Sequence, residues 1–301
     1  MRIISLVPAG TDILFALGLG SDVVGVSHEC DRPAGMAPPP RLTRSLIETG
    51  RLSSAEIDAA IAGQMAAGAS IYEIDAGQLA ALRPDLILTQ GLCDVCALPA
   101  RAVQHVLGQL SPRPAIVSLD ARSVDGILDS MRDIGEQTGR ERQARDLIEQ
   151  LHARLERVAT AVAGRPRVPV VCLEWLDPPY ACGHWIPEMV ERAGGTDLLG
   201  RPGIPSVPIP WVDIERAQPP LVIAMPCGYD LPEAVRDLER VAARTPWRHA
   251  IGDASVYVAA GGGYFTRPGP RLVTGIEVLA SVFHPDAMNW PVTADVITRW
   301  Q

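Results

Sequence analysis

A charged helical stretch in the middle of the chain constrains its fold more than any other feature. Residues 140–163, RERQARDLIEQLHARLERVATAVA, carry charge along one side and stop at Gly164 and Pro166. At 1.5 Å per residue such a helix spans roughly 36 Å, about the width of a domain. A helix so long and so polar suits a bridge across solvent rather than a buried core element. On either side of it lies a separate run of alternating strand and helix signals.

In the first run, residues 2–7 read as a strand, a helix starts at Thr11 or Asp12 and ends near Leu19, and 22–27 is β-rich. Ser53-Ser54-Ala55-Glu56 is a capping-box pattern that opens an Ala-rich helix reaching residue 67. Residues 79–82 end a short helix before Pro84, and 85–90 (DLILTQ) is a strand. A helix over 98–110, a strand over 115–119 and a helix over 123–138 follow. After Gly164 the pattern restarts, with strands at 167–175, 221–225 and 255–259 and helices at 184–193, 212–218, 231–244 and 270–283. Apolar strands separated by helical crossovers point to parallel sheets covered on both faces. The expectation is an α/β chain of two Rossmann-like lobes with parallel sheets. Lobes over 1–138 and 165–301 are joined by one long helix over 139–164, with a ligand cleft between them.

A chain of 301 residues is long enough for two cores. A formal net charge of −8 argues against nucleic-acid binding, which leans on basic surface. No apolar run approaches the roughly 20 residues of a membrane helix. The N-terminus, MRIISLVP, passes from one basic residue straight into a β-type run, with no apolar signal core or cleavage site. A monomer working in the cytoplasm is the expectation.

The six cysteines then read as thiols, metal ligands or catalytic groups rather than disulfides. Cys30 follows the strand ending near Ser27, Cys93 and Cys96 follow the strand ending at Gln90, and Cys227 follows the strand ending near Met225. Ligands of open parallel sheets bind beyond the carboxyl ends of the strands. Four thiols at such addresses could hold zinc or an iron–sulfur cluster, with His28 as reserve ligand. Cys93-x-x-Cys96 also has redox spacing. The competing reading makes these residues small buried hydrophobes. Cys172 reads as core, and Cys182 takes no part in the pattern.

Aromatics gather in or beside loops: Trp175, Tyr180, Trp185, Trp211, Tyr229, Tyr264 and Phe265. Flat apolar walls suit a macrocycle, although loop anchoring explains such residues too. Arg267 and Arg271 flank a Pro-Gly-Pro turn and could grip carboxylates or phosphates, or form structural salt bridges. Gly261-Gly262-Gly263 lacks the strand–turn–helix setting of a nucleotide fingerprint and reads as a flexible approach to Tyr264.

The run SLVPAGTDILFALGLGSDVVG from Ser5 to Gly25, the linking helix and the second lobe together resemble class III periplasmic substrate-binding proteins. These carry iron-siderophores and cobalamin to membrane transporters. Within them the chain resembles a subgroup labelled cobalamin-binding proteins. The strings that carry the likeness are SHECD from Ser27, LCDVCA from Leu92, EWLDPP from Glu174, GHWIPEM from Gly183, PCGY from Pro226 and YFTRPGPR from Tyr264. Thr266 stands where that pattern has Asn. The resemblance implies a non-enzymatic binding protein for a corrinoid or another metal-containing small molecule. Contacts would come from Trp175, His184, Trp185, Tyr264, Phe265, Arg267 and Arg271. Two alternatives stand beside it. One is a metalloprotein or metalloenzyme whose Cys30, Cys93, Cys96 and Cys227, with His28, hold a metal or cluster between the lobes. The other is an ABC-transporter solute-binding protein whose leader is missing, the only reading with a permease as partner.

Overall fold

The computed structural model describes residues 1–31, 38–91, 108, 110–287 and 295–300. These divide into two compact units. The first comprises Met1–Leu52, Ala59–Ala121 and Asp125–Glu149, and the second Ser53–Asp58, Arg122–Val124 and Gln150–Gln301.

In chain order the first half runs β1 (Ile3–Ser5), α1 (Pro8–Ala16), β2 (Val23–Val26), β3 (Thr43–Ser45), α2 (Ser54–Ala66), β4 (Tyr72–Ile74), α3 (Ala76–Ala81), β5 (Leu86–Thr89), β6 (Ala115–Ser118), α4 (Val124–Thr138) and α5 (Glu141–Val162). The first unit's sheet has the order β2-β1-β5-β6, and every pairing in it is parallel. Ile4 and Leu6 face a cluster with Leu42, Leu79 and Ile87. Ile3 and Ser5, on the opposite face of β1, are fully buried as well. A strand buried on both faces reads as a continuous apolar run, which is why β1 and β5 were visible in the sequence.

α1 begins three residues before the expected Thr11, because Pro8 suits a first helical turn, where its missing N–H costs nothing. The Ser53–Glu56 capping box is present. Ser53 N donates to Glu56 Oε2 at 2.8 Å and Glu56 N to Ser53 Oγ at 3.3 Å. The charged middle stretch is the single helix α5, and the division between the units falls inside it. All of the helix expected over 98–110 except residues 108 and 110, with Cys93 and Cys96, lies outside the described residues.

The second half runs β7 (Val168–Leu176), β8 (Pro179–Ala181), α6 (Ile186–Arg192), β9 (Gly195–Asp197), β10 (Val207–Pro208), α7 (Trp211–Ala217), β11 (Leu221–Ala224), α8 (Leu231–Ala242), α9 (Thr245–Ile251), β12 (Ser255–Ala259), α10 (Gly261–Tyr264), α11 (Leu272–Phe283) and β13 (Ile297–Arg299). Its sheet has the order β10-β8-β7-β11-β12-β13, with β9 beside β7. The centre, β7-β11-β12, is parallel as expected. The margins are not, since β8 and β13 join antiparallel. One face buries Val171, Leu173, Val222, Ala224, Val256 and Val258 against Leu238 and Trp247. Outside that cluster α11 packs on α6. The second half of α5 is fastened there too, for Arg154 Nε donates to Glu277 Oε1 at 2.9 Å and its Nη2 to Thr274 Oγ1 at 2.7 Å.

Candidate functional site

Because β7, β11 and β12 are parallel, their carboxyl ends share one edge, where ligands of such sheets bind. The chain after β11 and the chain after β12 lock together there. Cys227 N donates to Glu174 O at 2.9 Å, and Gly262 N donates to Tyr229 O at 3.2 Å. A side-chain carbon on Gly261 would overlap the carbonyl oxygens of Met225 and Pro226, so this close approach requires glycine. The triple glycine therefore opens a packed helical turn, α10, rather than a flexible lead-in. Thr266 finds a use in the same turn, its Oγ1 donating to Gly261 O at 3.0 Å.

Above this base lie the part-exposed Tyr229, Tyr264, Arg267 and Arg271. The Tyr229 ring centroid is 5.3 Å from that of Trp175. The Arg271 guanidinium lies 5.6 Å from the centre of the Tyr264 ring, within cation–π range. Burial, with the nearby Asp237 and Glu233 carboxylates, pushes the Tyr229 hydroxyl up to about 12, so it stays a neutral phenol.

Two expected contact residues are anchored by their polar ends. Trp185 is only 3% exposed, and its Nε1 donates to Phe265 O at 2.7 Å. Phe265 itself is fully buried. Trp175 Nε1 donates to Ser54 O at 3.1 Å. Beside it Tyr180 Oη donates to Asp58 Oδ1 at 2.8 Å. The buried Asp237 carboxylate accepts from Ser54, and burial raises its pKa. The first turn of α2 is thus held by side chains of β7, β8 and α8.

His184 does not open α6, which starts at Ile186. It sits in the left-handed region at φ 50°, which a non-glycine residue adopts only when its surroundings enforce it. The enforcement is visible: His184 N donates to Ile204 O at 2.6 Å, and Gly203 N donates to His184 O at 2.8 Å. The side chain is buried, and its Nε2 has no hydrogen-bond partner. Burial, and secondarily the Arg122 charge, lowers its pKa. That nitrogen is sealed from solvent, as a buried neutral imidazole would leave it.

The first unit's candidates have partners of their own. His28 Nδ1 lies 2.7 Å from Thr43 Oγ1, and its ring packs 5.2 Å from Tyr72. Its Nε2 is 3.1 Å from Glu29 Oε1, an ion-pair distance without hydrogen-bond alignment. The buried Cys30 sulfur lies 3.1 Å from Thr11 Oγ1 and 3.2 Å from Ser27 Oγ. Among the described residues no group of three or more His, Cys, Asp or Glu side chains could hold a metal ion. The expected four-cysteine centre also needs Cys93 and Cys96, which lie outside the described residues. Cys172 and Cys182 are fully buried, and burial raises both thiols well above their ordinary range.

Residues the sequence reading left without a role also shape this edge. Ser206 Oγ donates to a Glu174 carboxylate oxygen and accepts from Gly183 N at 2.9 Å. The sequence offered no signal for that contact, because Glu174 and Ser206 meet only through the fold. Asp197 is part-exposed, yet its Oδ2 is sealed from solvent without a partner, and burial pushes its carboxyl up to about 7.

The sequence profile of the family described as periplasmic binding protein matches residues 3–250. The chain belongs to that family. No curated protein sequence matches it. Among solved structures, a periplasmic heme binding protein from Pseudomonas aeruginosa superposes with a TM-score of 0.72 at 18% identity, covering 99% of this chain and 97% of that one. The periplasmic vitamin B12 binding protein of Vibrio cholerae gives a TM-score of 0.67 at 19% identity, covering 96% and 98%. An ABC transporter substrate-binding protein from Listeria monocytogenes gives 0.70 at 15% identity, covering 95% and 99%. At these identities the likeness establishes a common fold: the family's two-lobed α/β architecture is that of this chain.

Proposed function

We propose that the chain is a substrate-binding protein for a metal-containing small molecule, seated against the carboxyl edge of the second sheet. The observation that carries this is the pair of part-exposed groups on the chain after β12, where Tyr264 offers a flat ring and Arg271 a cation. An aromatic face and a cation for carboxylates match a corrinoid or a related macrocycle with acidic side chains. Family membership supports binding rather than catalysis, and delivery of the bound molecule to an ABC permease. Structural relatives that bind vitamin B12 and heme support the metal-bearing ligand.

Titration of the purified chain with cyanocobalamin, cobinamide and hemin, followed by calorimetry and absorbance, tests the reading. Saturable binding of at least one, with the corrinoids tightest, is the expected result. The absence of both heat and spectral change with all three overturns it.

A further inference from the structure

β8 runs antiparallel to β7 with Leu173 opposite Ala181. Carrying that register on by one residue sets Cys172 opposite Cys182, which directly follows β8. Opposed residues of an antiparallel pair project from the same face, with Cα atoms about 4.5 or 5.5 Å apart. Both spacings fall inside the roughly 4.4–6.8 Å that a disulfide spans. Both residues are fully buried and both are free thiols. We propose that Cys172 and Cys182 are a cross-strand dithiol that closes to a disulfide when the chain folds in the presence of an external disulfide.

The exchange balances. One cysteine sulfur, as thiolate, attacks the external disulfide to give a mixed disulfide and release one external thiol. The second cysteine sulfur then attacks the mixed disulfide and releases the other. Two S–H bonds of the protein and one external S–S bond are lost. One protein S–S bond and two external S–H bonds are formed. The protein is oxidised by two electrons and the external disulfide reduced by two. In the finished fold the reaction is slow, because burial raises both thiols and keeps reagents away. It belongs to folding, before the strands close over the pair. The link pins the chain that leads from β8 into His184 and Trp185, so it steadies the turn in which His184 is held.

The sequence makes the test direct, for residues 168–192 form one tryptic peptide whose only cysteines are Cys172 and Cys182. The full chain is unfolded in reductant, refolded with oxidised and reduced glutathione, alkylated with iodoacetamide in denaturant, and digested. The expected peptide carries no alkyl group and is lighter by two hydrogens than its reduced form. Cleavage between the two cysteines by chymotrypsin then gives two fragments that separate only on reduction. The thermal midpoint of the oxidised protein lies several degrees above that of the reduced one. Recovery of the peptide with both cysteines alkylated, or with either linked to another cysteine, overturns the proposal. The measurement involves no ligand, so its failure leaves the binding reading standing.

Discussion

At the carboxyl edge of the first sheet, small polar groups consume one another. Ser5 Oγ donates to Val7 O at 2.9 Å, Cys30 is held between the hydroxyls of Thr11 and Ser27, and His28 leans on Thr43 and Tyr72. At the same edge of the second sheet, the large side chains are anchored to backbone while a different set stays part-exposed. Trp175 and Trp185 hand their N–H groups to backbone carbonyls, whereas Tyr264 and Arg271 stack in part-exposed positions. The contrast teaches that a polar or aromatic residue at a strand's carboxyl end is a candidate contact only when the fold leaves a face of it exposed. Position alone ranks Trp185 and Tyr264 equally; their hydrogen bonds and burial separate them.

The largest effect that would sharpen this contrast comes from Trp185→Ala. Removing a buried indole costs about 3–5 kcal/mol of stability, measured by urea unfolding. A cost under about 1 kcal/mol would mean that Trp185 is not the anchor described. Tyr264→Ala acts the other way round. It weakens binding of the tightest macrocycle by roughly 1–3 kcal/mol in calorimetric titration while stability changes little. Equal affinity in variant and parent would break the assignment of the second edge. Cys30→Ala in the first unit costs about 1 kcal/mol, the scale of a lost buried hydrogen-bonding group, and leaves ligand affinity unchanged. A large drop in affinity would return the first edge to the site.

The smallest effect concerns pH. His184 has a folded pKa below its ordinary 6.5, so the unfolded chain binds this proton more readily. Its contribution is fully present above pH 6.5 and is lost as pH falls through the lowered folded value. His184→Asn keeps a residue that tolerates the left-handed backbone and removes the titration. The variant's stability should fall less steeply than the parent's between neutral and mildly acid pH. Parallel curves would show that His184 is not held neutral.

Much of the fold was legible because its determinants are local. β12 and the central strands announce themselves as apolar runs, and α2 by the Ser53–Glu56 box that the structure closes. The antiparallel additions were not legible. β3 (TRS) and β4 (YEI) are three residues each, too short and polar to show an alternation. α9 follows directly on the helix expected over 231–244, and Pro246 sits in its first turn. At the site, residue types and strand-end addresses were readable, but commitments were not. Trp185 is spoken for by Phe265, and His184 is twisted by Ile204, through contacts that no spacing in the sequence encodes.

Hydrogen exchange with and without the tightest-binding macrocycle measures the central claim most directly. Slowed exchange should concentrate in residues 226–230 and 261–271, because these carry the part-exposed Tyr229, Tyr264 and Arg271. Protection confined to other segments, or none at saturating ligand, would contradict the account.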